Sequence, residues 1–456
     1  MLQIRRNNIS WWFKMKKIYS LFSIIIVSII LNICLYSSNI VDISTGQQLN
    51  DIGLQWPIFR LFIEPFYAFA YYILTMERTG YVFALISWLI WSVLITVLIC
   101  KYNKENLKNR IVYGCFSFFF FVSLCCSVII LPVIGPKITN VEGYKVLDSH
   151  SHTISSRDNI SPVESSINFH KRHGFTDFFI TEHDNTNGYK TVPPDIGTEH
   201  IFPGIQIRTT DGQSVLLLSQ NYFEYEDFSD KSIKEMIDLA HSRDMLVVMP
   251  HWWKWKKPKL EQLIDWGIDG FEIYNCGYRY ISDETRQQII EVCRKNNLLI
   301  TGSTDWHGLG YMANVWTLIE EKDNKNVFEL MKEKPTTKIV VHDIKGNQSV
   351  IRYIFEPFYF LYHYIKTTQL KYVLSFYMFV LIFAGLLTKI SIKKIIRISS
   401  LLLSLYFSIC MFYFVKILKY SFVYNVIIPE TILPTTISLV IIWIIIWSFC
   451  DKNIQS

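Results

Sequence analysis

The sequence predicts an α/β domain, built on a parallel sheet or barrel, inserted between two α-helical transmembrane bundles. Three observations carry this expectation. Only 18% of the 456 residues are charged and half are hydrophobic, whereas ordinary soluble domains carry about 25% charged residues. The apolar residues fall in six stretches free of Asp, Glu, Lys and Arg: 18–41, 79–100, 111–136, 372–388, 398–415 and 431–450. Between the third and fourth lies a polar insert holding ten of the eleven histidines, from His150 to His342. A simple cytosolic enzyme is excluded by this layout.

Each stretch reaches or nearly reaches the ~17–25 helical residues that cross a ~30 Å hydrocarbon core. The expected spans are about 18–37, 79–100, 111–134, 372–388, 398–415 and 431–450. The first follows a basic leader (Arg5, Arg6, Lys14, Lys16, Lys17) and no small-residue cleavage site comes after it, so it reads as a permanent anchor. Seven of the nine cysteines lie in or beside these stretches, where they act as small hydrophobes. Cys276 and Cys293 alone belong to the insert and form no CxxC, which argues against a thiolate metal site.

The frame contains a repeat. Residues 60–67 read RLFIEPFY and residues 352–359 read RYIFEPFY, and both copies continue with Tyr-Ile at Tyr72-Ile73 and Tyr364-Ile365. An apolar span, a basic loop and another apolar span follow each copy, an order that a chance match between aromatic-rich segments would not produce. Each copy pairs Arg with Glu at i,i+4 and places Pro next, so 56–75 and 351–367 are expected as interfacial helices rather than spans. The resulting division is a membrane region at 1–137, an inserted domain at 138–345 and a second membrane region at 346–456.

Charge sets the orientation. From Tyr144 to Asp343 there are 22 Lys+Arg against 30 Asp+Glu, a balance of −8, and the remainder holds 23 against 9, or +14. The basic excess therefore flanks the apolar stretches, which makes nucleic acid an unlikely partner and membrane lipid an expected one. Cytoplasmic loops collect Lys and Arg. With the 56–75 and 351–367 helices kept out of the spanning set, both basic loops face inward and the insert faces the extracytoplasmic side of a cell membrane.

Within the insert, apolar runs at 145–148, 177–181, 245–249, 271–274 and 298–301 read as strands, and 162–172, 232–242, 259–266 and 283–296 have helical spacing. The first helix carries a start signal in Ser161, Pro162 and Glu164. Alternating β and α units point to an α/β fold, and polar residues just past the strands lie on the rim where such folds build sites.

Those rim residues are ligand types. His150 and His152 share one face of extended chain, Asp158 follows in a loop, and Glu182-His183-Asp184, Pro250-His251 and Asp305-Trp306-His307 each close a strand. Imidazole with carboxylate suits zinc, iron or manganese. A Trp-Lys run, Trp252-Trp253-Lys254-Trp255-Lys256-Lys257-Pro258-Lys259, follows His251 and suits a headgroup interface or a phosphate-bearing substrate.

The ordered motifs DSHSHT, SSRDN, TEHDN, PGIQI, MPHW, FEIYN and GSTDWHG resemble the PHP (polymerase and histidinol phosphatase) superfamily of metal-dependent phosphoesterases over roughly 144–320. The resemblance implies a distorted β/α barrel with two or three divalent ions at the strand ends. It implies His150, His152 and Asp305 on one ion and Asp158, His183 and His307 on a second. Gln206 stands where the family's PGxE motif has a bridging Glu, Glu182 replaces an Asp, and the His-Pro step reads Met249-Pro250 with His251 displaced. A His that many members carry a few residues later is also missing, where this chain has Ser214-Val215-Leu216-Leu217. Apart from the mild change at Glu182, these departures fall on the third ion, so two ions are expected.

The expected function is a membrane-anchored phosphatase or phosphodiesterase that hydrolyses a phosphorylated small-molecule or lipid-linked substrate. His251 would protonate the leaving oxygen or contact the phosphate. Asp148 and Glu272 would orient ligands, His170 and His173 would cap a helix, and His200, His241 and His342 have no expected role. The alternative is a non-catalytic membrane sensor or scaffold that binds metal or a phosphorylated ligand.

Overall fold

The computed structural model of the protein describes residues 22–76, 78–101, 135–159, 161–193, 200–277, 281–308, 313–322, 324–343 and 350–389, with scattered positions between 107 and 125. The expected spans 398–415 and 431–450 lie outside the described residues, as do most of 111–134 and both basic loops.

The insert is an α/β domain around one large sheet. Six strands run in one direction: β5 (Tyr144–Asp148), β6 (Asp177–His183), β7 (Ile201–Arg208), β9 (Leu246–Met249), β10 (Gly270–Asn275) and β11 (Leu299–Ser303). β8 (Ser214–Leu218) lies antiparallel between β7 and β9, so the expected parallel sheet is interrupted there. The interruption is a hairpin: Gly212 at φ +79 turns the chain, and Thr209 donates its N–H to Gln213 O at 2.9 Å. The Asp211-Gly212 dipeptide is the sequence signal for that turn. Side chains of β8 alternate as a strand requires. Val215 and Leu217 join the core shared with helices Ile233–Ser242, Leu260–Asp265 and Asp283–Lys295, while Leu216 and Leu218 join the core shared with helix Val327–Lys332.

Closure comes from the last strand. Past β11, Trp306 pairs in parallel with Ser151, Asp305 N–H donates to His150 O at 2.9 Å, and His152 N–H donates to Trp306 O at 3.0 Å. The ends of β5 and β11 are thus joined, and the sheet curls into a distorted barrel.

Beyond β5 the sheet continues antiparallel through β12 (Val315–Glu320), β13 (Lys338–His342), β1 (Ile40–Asp42) and β2 (Gln47–Gln48). β3 (Gly53–Gln55) pairs with β4 (Lys137–Thr139). The domain therefore draws on residues well before the expected boundary at 138. Asp42 fixes this edge, accepting N–H bonds from Ser44 and Ile339 at 3.0 Å each.

The first helix of the insert begins one residue later than expected. Pro162 is its N-cap and offers no side-chain bond, while Ser161 N–H goes to Asn159 Oδ1. Gly174 ends that helix at φ +87, where a Cβ would meet Ile138 at 2.9 Å.

The repeat folds as an exchanged pair. Helix Arg60–Leu74 has a non-helical residue at Ile63, and the second copy breaks at Phe355 between Val350–Ile354 and Glu356–Thr367. Both breaks immediately precede Glu-Pro, where the ring lacks an N–H and crowds the preceding turn. Arg60 forks onto Glu64 at 2.6 and 2.8 Å, and Glu64 also accepts from Tyr364 of the other copy at 2.9 Å. Tyr72 of the first copy donates to Glu356 of the second. Helix Arg60–Leu74 packs on Leu370–Lys389, while Val350–Ile354 and Glu356–Thr367 pack on Arg78–Lys101.

Among the described residues no helix is long and apolar enough to cross a membrane, so the expected transmembrane bundles are not shown. The expected spans 79–100 and 372–388 are helices, Arg78–Lys101 and Leu370–Lys389, with continuously described side chains over 82–98 and 370–382.

Candidate metal centre

Strand ends deliver the site. β5 runs out into His150 and His152, β6 ends in His183, Gln206 lies on β7, and the turns after β9 and β11 carry His251 and Asp305. Three rim residues adopt left-handed backbone, Asp184 at φ +49, His251 at +32 and Asp305 at +47. Non-glycine residues hold that conformation at a cost of about 1–3 kcal/mol, and such strain collects at functional sites. Here it turns the chain sharply beside the ligand-type side chains.

Asp305 is the hub. Its Oδ1 lies 3.2 Å from His150 Nε2 and 3.1 Å from His152 Nε2, and these three residues offer ligand atoms within 4.8 Å of one another. A second group of the same kind joins His152, His183 and His307. Ring centroids of His183 and His307 lie 4.4 and 4.3 Å from that of His152. Asp158 completes this end, its Oδ2 standing 3.2 Å from both His183 Nε2 and His307 Nε2. At the other end Gln206 Oε1 is 3.1 Å from His150 Nε2, and Gln206 Nε2 is 3.1 Å from His251 Nε2. All eight residues expected at the site thus form one chain of contacts, and His152 belongs to both groups rather than to one.

Behind this layer, buried carboxylates set the rings. Glu272 Oε1 holds His150 Nδ1 at 3.0 Å, and its Oε2 accepts the N–H of His251 at 3.0 Å and Asn275 Nδ2 at 3.1 Å. Asp148 receives the N–H of Thr304 at 3.0 Å and of His150 at 3.3 Å, with His170 Nε2 at 3.0 Å. Glu182 points away from the cluster, taking Thr153 N–H at 3.0 Å and the hydroxyls of Thr153 and Ser156. Ser156 is the residue that sequence reasoning missed: it lies 3.1 Å from His152 Nδ1 and also accepts the N–H of His183 at 3.0 Å. A serine in a polar loop carries no spacing signal.

The remaining histidines serve the scaffold. His170 Nδ1 reaches Ser166 O at 2.7 Å and His173 Nδ1 reaches Phe169 O at 2.8 Å near the end of their helix, and His170 also stacks on Phe178 at 3.9 Å and ties the helix to Asp148. His200 pairs with Asp177 at 3.1 Å, His241 with Asp269 at 2.8 Å, and His342 with the Tyr71 hydroxyl at 2.7 Å.

The electrostatics favour positive charge at the centre. Burial opposes charging His150, yet Asp305 and Glu272 carry it up to about 9. His307 is likewise raised against its burial by Asp305 and Asp158. Burial, then the neighbouring His307 and His183, keeps His152 neutral, and burial pushes His251 down to about 4. Imidazoles beside carboxylates are the donor set for zinc, manganese or iron, the residues present fit such ions, and a bound cation would take the place of the protons on His150 and His307.

No protein-family model matches the sequence, and no curated protein matches it. Solved structures with which the fold aligns include a proposed metal-dependent phosphoesterase from Bifidobacterium adolescentis, at 16% identity over 36% of this chain and 88% of that one, TM-score 0.31. A two-domain protein from Bacteroides vulgatus containing a predicted PHP-like metal-dependent phosphoesterase aligns at 18% identity over 47% and 71%, TM-score 0.33. An amidohydrolase from Chromobacterium violaceum aligns at 10% identity over 43% and 97%, TM-score 0.32.

Proposed function

We propose that the chain is a metal-dependent phosphoesterase, anchored to a membrane with its barrel on the extracytoplasmic face. The observation that carries the chemistry is the convergence of His150, His152 and Asp305 with His183 and His307, the ends of β5, β6 and β11 contributing to one cluster. Two divalent cations at such a site activate water and clamp the oxygens of a transferring phosphoryl group. His150, His152 and Asp305 would hold one, and Asp158, His183 and His307 the other. Glu272 fixes the tautomer of His150 and, through the His251 N–H, the turn that carries His251. Neutral at physiological pH, His251 suits a hydrogen bond to a phosphate oxygen, beside the Gln206 amide.

Sheet pairing supports the topology. β1 pairs with β13 and β3 with β4, so residues 40–55 lie on the same side of any membrane as 137–342. An even number of crossings must therefore separate 55 from 137. The spans 79–100 and 111–134 supply two, which leaves helix Arg60–Leu74 uncrossed. With the basic leader inside, one crossing over 18–37 puts both strand pairs outside. Lipid contact is supported by helix Arg78–Lys101, along which Phe83, Ile86, Ile90, Leu94 and Leu98 are all exposed.

The test uses the full chain in detergent, since a 140–345 fragment would strip β1 from β13. Stoichiometric metal by elemental analysis, with hydrolysis of p-nitrophenyl phosphate abolished by chelation, is the expected result. Metal without hydrolysis indicates the sensor instead, and absence of metal overturns the enzyme reading. For topology, a lone cysteine at Glu226, in a background without native cysteines, should react with impermeant maleimide on intact cells while one at Asn106 should not.

A further inference from the structure

The Trp-Lys run after His251 lies on the rim of the cluster. It leaves β9 through His251, which contacts Gln206, which in turn contacts His150. Trp252 and Trp253 are buried, and Trp252 Nε1 donates to Pro258 O at 2.8 Å, pinning the two ends of the loop together. The residues between are thrust outward: Lys254, Trp255, Lys256 and Lys257 are exposed, as is Lys259 beyond them. Lys256 Nζ reaches Thr285 Oγ1 at 3.2 Å at the start of helix Asp283–Lys295, so the loop spans from the rim of β9 to that of β10, beside Glu272. Lys254 is near enough for its charge to act on His251, and its ammonium sits 4.9 Å from the Trp255 ring.

Charge separates this loop from the rest of an acidic domain. Elsewhere surface lysines face carboxylates, as in Lys190–Glu224 at 3.1 Å, Lys234–Asp238 at 2.8 Å and Lys334–Asp269 at 3.1 Å. Among the described residues no carboxylate pairs with Lys256, Lys257 or Lys259. Uncompensated like charges repel one another unless an anion joins them. A rigid loop that gathers them at the mouth of a phosphoester site concentrates phosphate there.

We propose that loop 254–259 is a phosphoryl-anion subsite, so that the substrate carries a further phosphate beyond the group held by the metal cluster. The proposal rests on the phosphoesterase reading for its place in catalysis but not for its binding chemistry. Lys254, Lys256, Lys257 and Lys259 contact the second phosphate, and Trp255 covers the moiety attached to it. That phosphate comes either from a soluble diphosphorylated compound or from a lipid headgroup at the bilayer surface.

The test compares the full chain with Lys254→Gln/Lys256→Gln/Lys257→Gln/Lys259→Gln, each in phosphatidylcholine nanodiscs. Metal content is measured first, and equilibrium dialysis then gives the affinities for inorganic pyrophosphate and orthophosphate. The expected result is unchanged metal, pyrophosphate affinity reduced about 10-fold or more, and orthophosphate affinity changed far less, because charge-assisted contacts to the second phosphate are lost. Lys257→Gln/Lys259→Gln, which touches two exposed side chains only, repeats the measurement with a smaller loss should the quadruple variant fold poorly. Pyrophosphate affinity within twofold of the parent in a metal-loaded variant overturns the subsite. A parent that binds no metal but loses pyrophosphate affinity on substitution overturns the enzyme reading and keeps the subsite. Nanodiscs containing phosphatidylglycerol separate the sources: weaker pyrophosphate binding by the parent alone identifies a headgroup, and equal binding in both lipids identifies a soluble phosphate.

Discussion

Charge is buried in two regions of this molecule, and the two handle it in opposite ways. At the repeat junction each repeat glutamate meets a cation of its own copy and a hydroxyl of the other. Glu64 has Arg60 and Tyr364, and Glu356 has Tyr72 with Arg352 at 3.8 Å. The cavity beside it, about 30 Å³ and lined by Trp56, Arg60, Tyr71, His342, Asp343 and His363, has room for one or two waters. At the strand-end cluster, by contrast, ring nitrogens of four histidines converge with Asp305 and Asp158, and among the described residues no Lys or Arg pairs with either carboxylate. A closed network of fixed charges holds two halves together. An open set of donors is built to receive a cation, and that difference separates scaffold from site.

Removing donors should have the largest effect. His150→Ala should eliminate one of two bound ions by elemental analysis, since His150 belongs to one group only, and full occupancy in that variant would break the contrast. Next comes the closed network. Glu64→Ala strands the Arg60 guanidinium, 5% exposed, and should cost about 3–5 kcal/mol in thermal unfolding followed by circular dichroism. Arg60→Met with Glu64→Leu should recover most of that loss, because the pair is replaced as a unit.

Glu272→Gln should lower metal affinity about 10–100-fold while leaving the stoichiometry intact, as expected for a group that orients a ligand ring. A competition titration against a metallochromic chelator gives the value. Gln206→Glu should tighten metal binding more modestly by adding charge 3.1 Å from His150, and unchanged affinity would mean that this contact opens when the ions bind. Smallest of all, Lys234→Ala on an exposed i,i+4 pair with Asp238 should stay within about 0.5 kcal/mol, which sets the floor for the other measurements.

The repeat shows how far pattern alone reaches. Arg60, Glu64 and Tyr72 recur at Arg352, Glu356 and Tyr364, and the match predicts two equivalent helices. An i,i+4 pair also predicts a bond within each copy, and Arg60 with Glu64 makes it. What the pattern leaves open is that each tyrosine serves the other copy's glutamate. Nothing local distinguishes a tyrosine that bonds within its own helix from one that reaches across.

The same division holds in the domain. Five strands and four helices were legible because apolar runs and 3.6-residue spacing are local properties, and the ligand types were legible because they follow strand ends at fixed offsets. β7 breaks its apolar residues with Pro203, Gly204 and Gln206, so no run stands out, and β8, Val215 to Leu218, lacks alternation because both faces are buried. β1 and β2 are too short to announce themselves; β1 exists by pairing with β13, and β2 by pairing with β1.

By itself, then, the sequence determined the α/β insert, its strand ends and the chemistry of the residues placed there. Tertiary structure alone decided that His152 is shared between two groups, that Ser156 supports it and that Glu182 turns away. It also decided that residues 40–55 join the domain. The reason is physical: element type and ligand identity are written in neighbours a few residues apart, whereas convergence depends on how the barrel closes, and closure brings together groups as distant as His152 and Asp305.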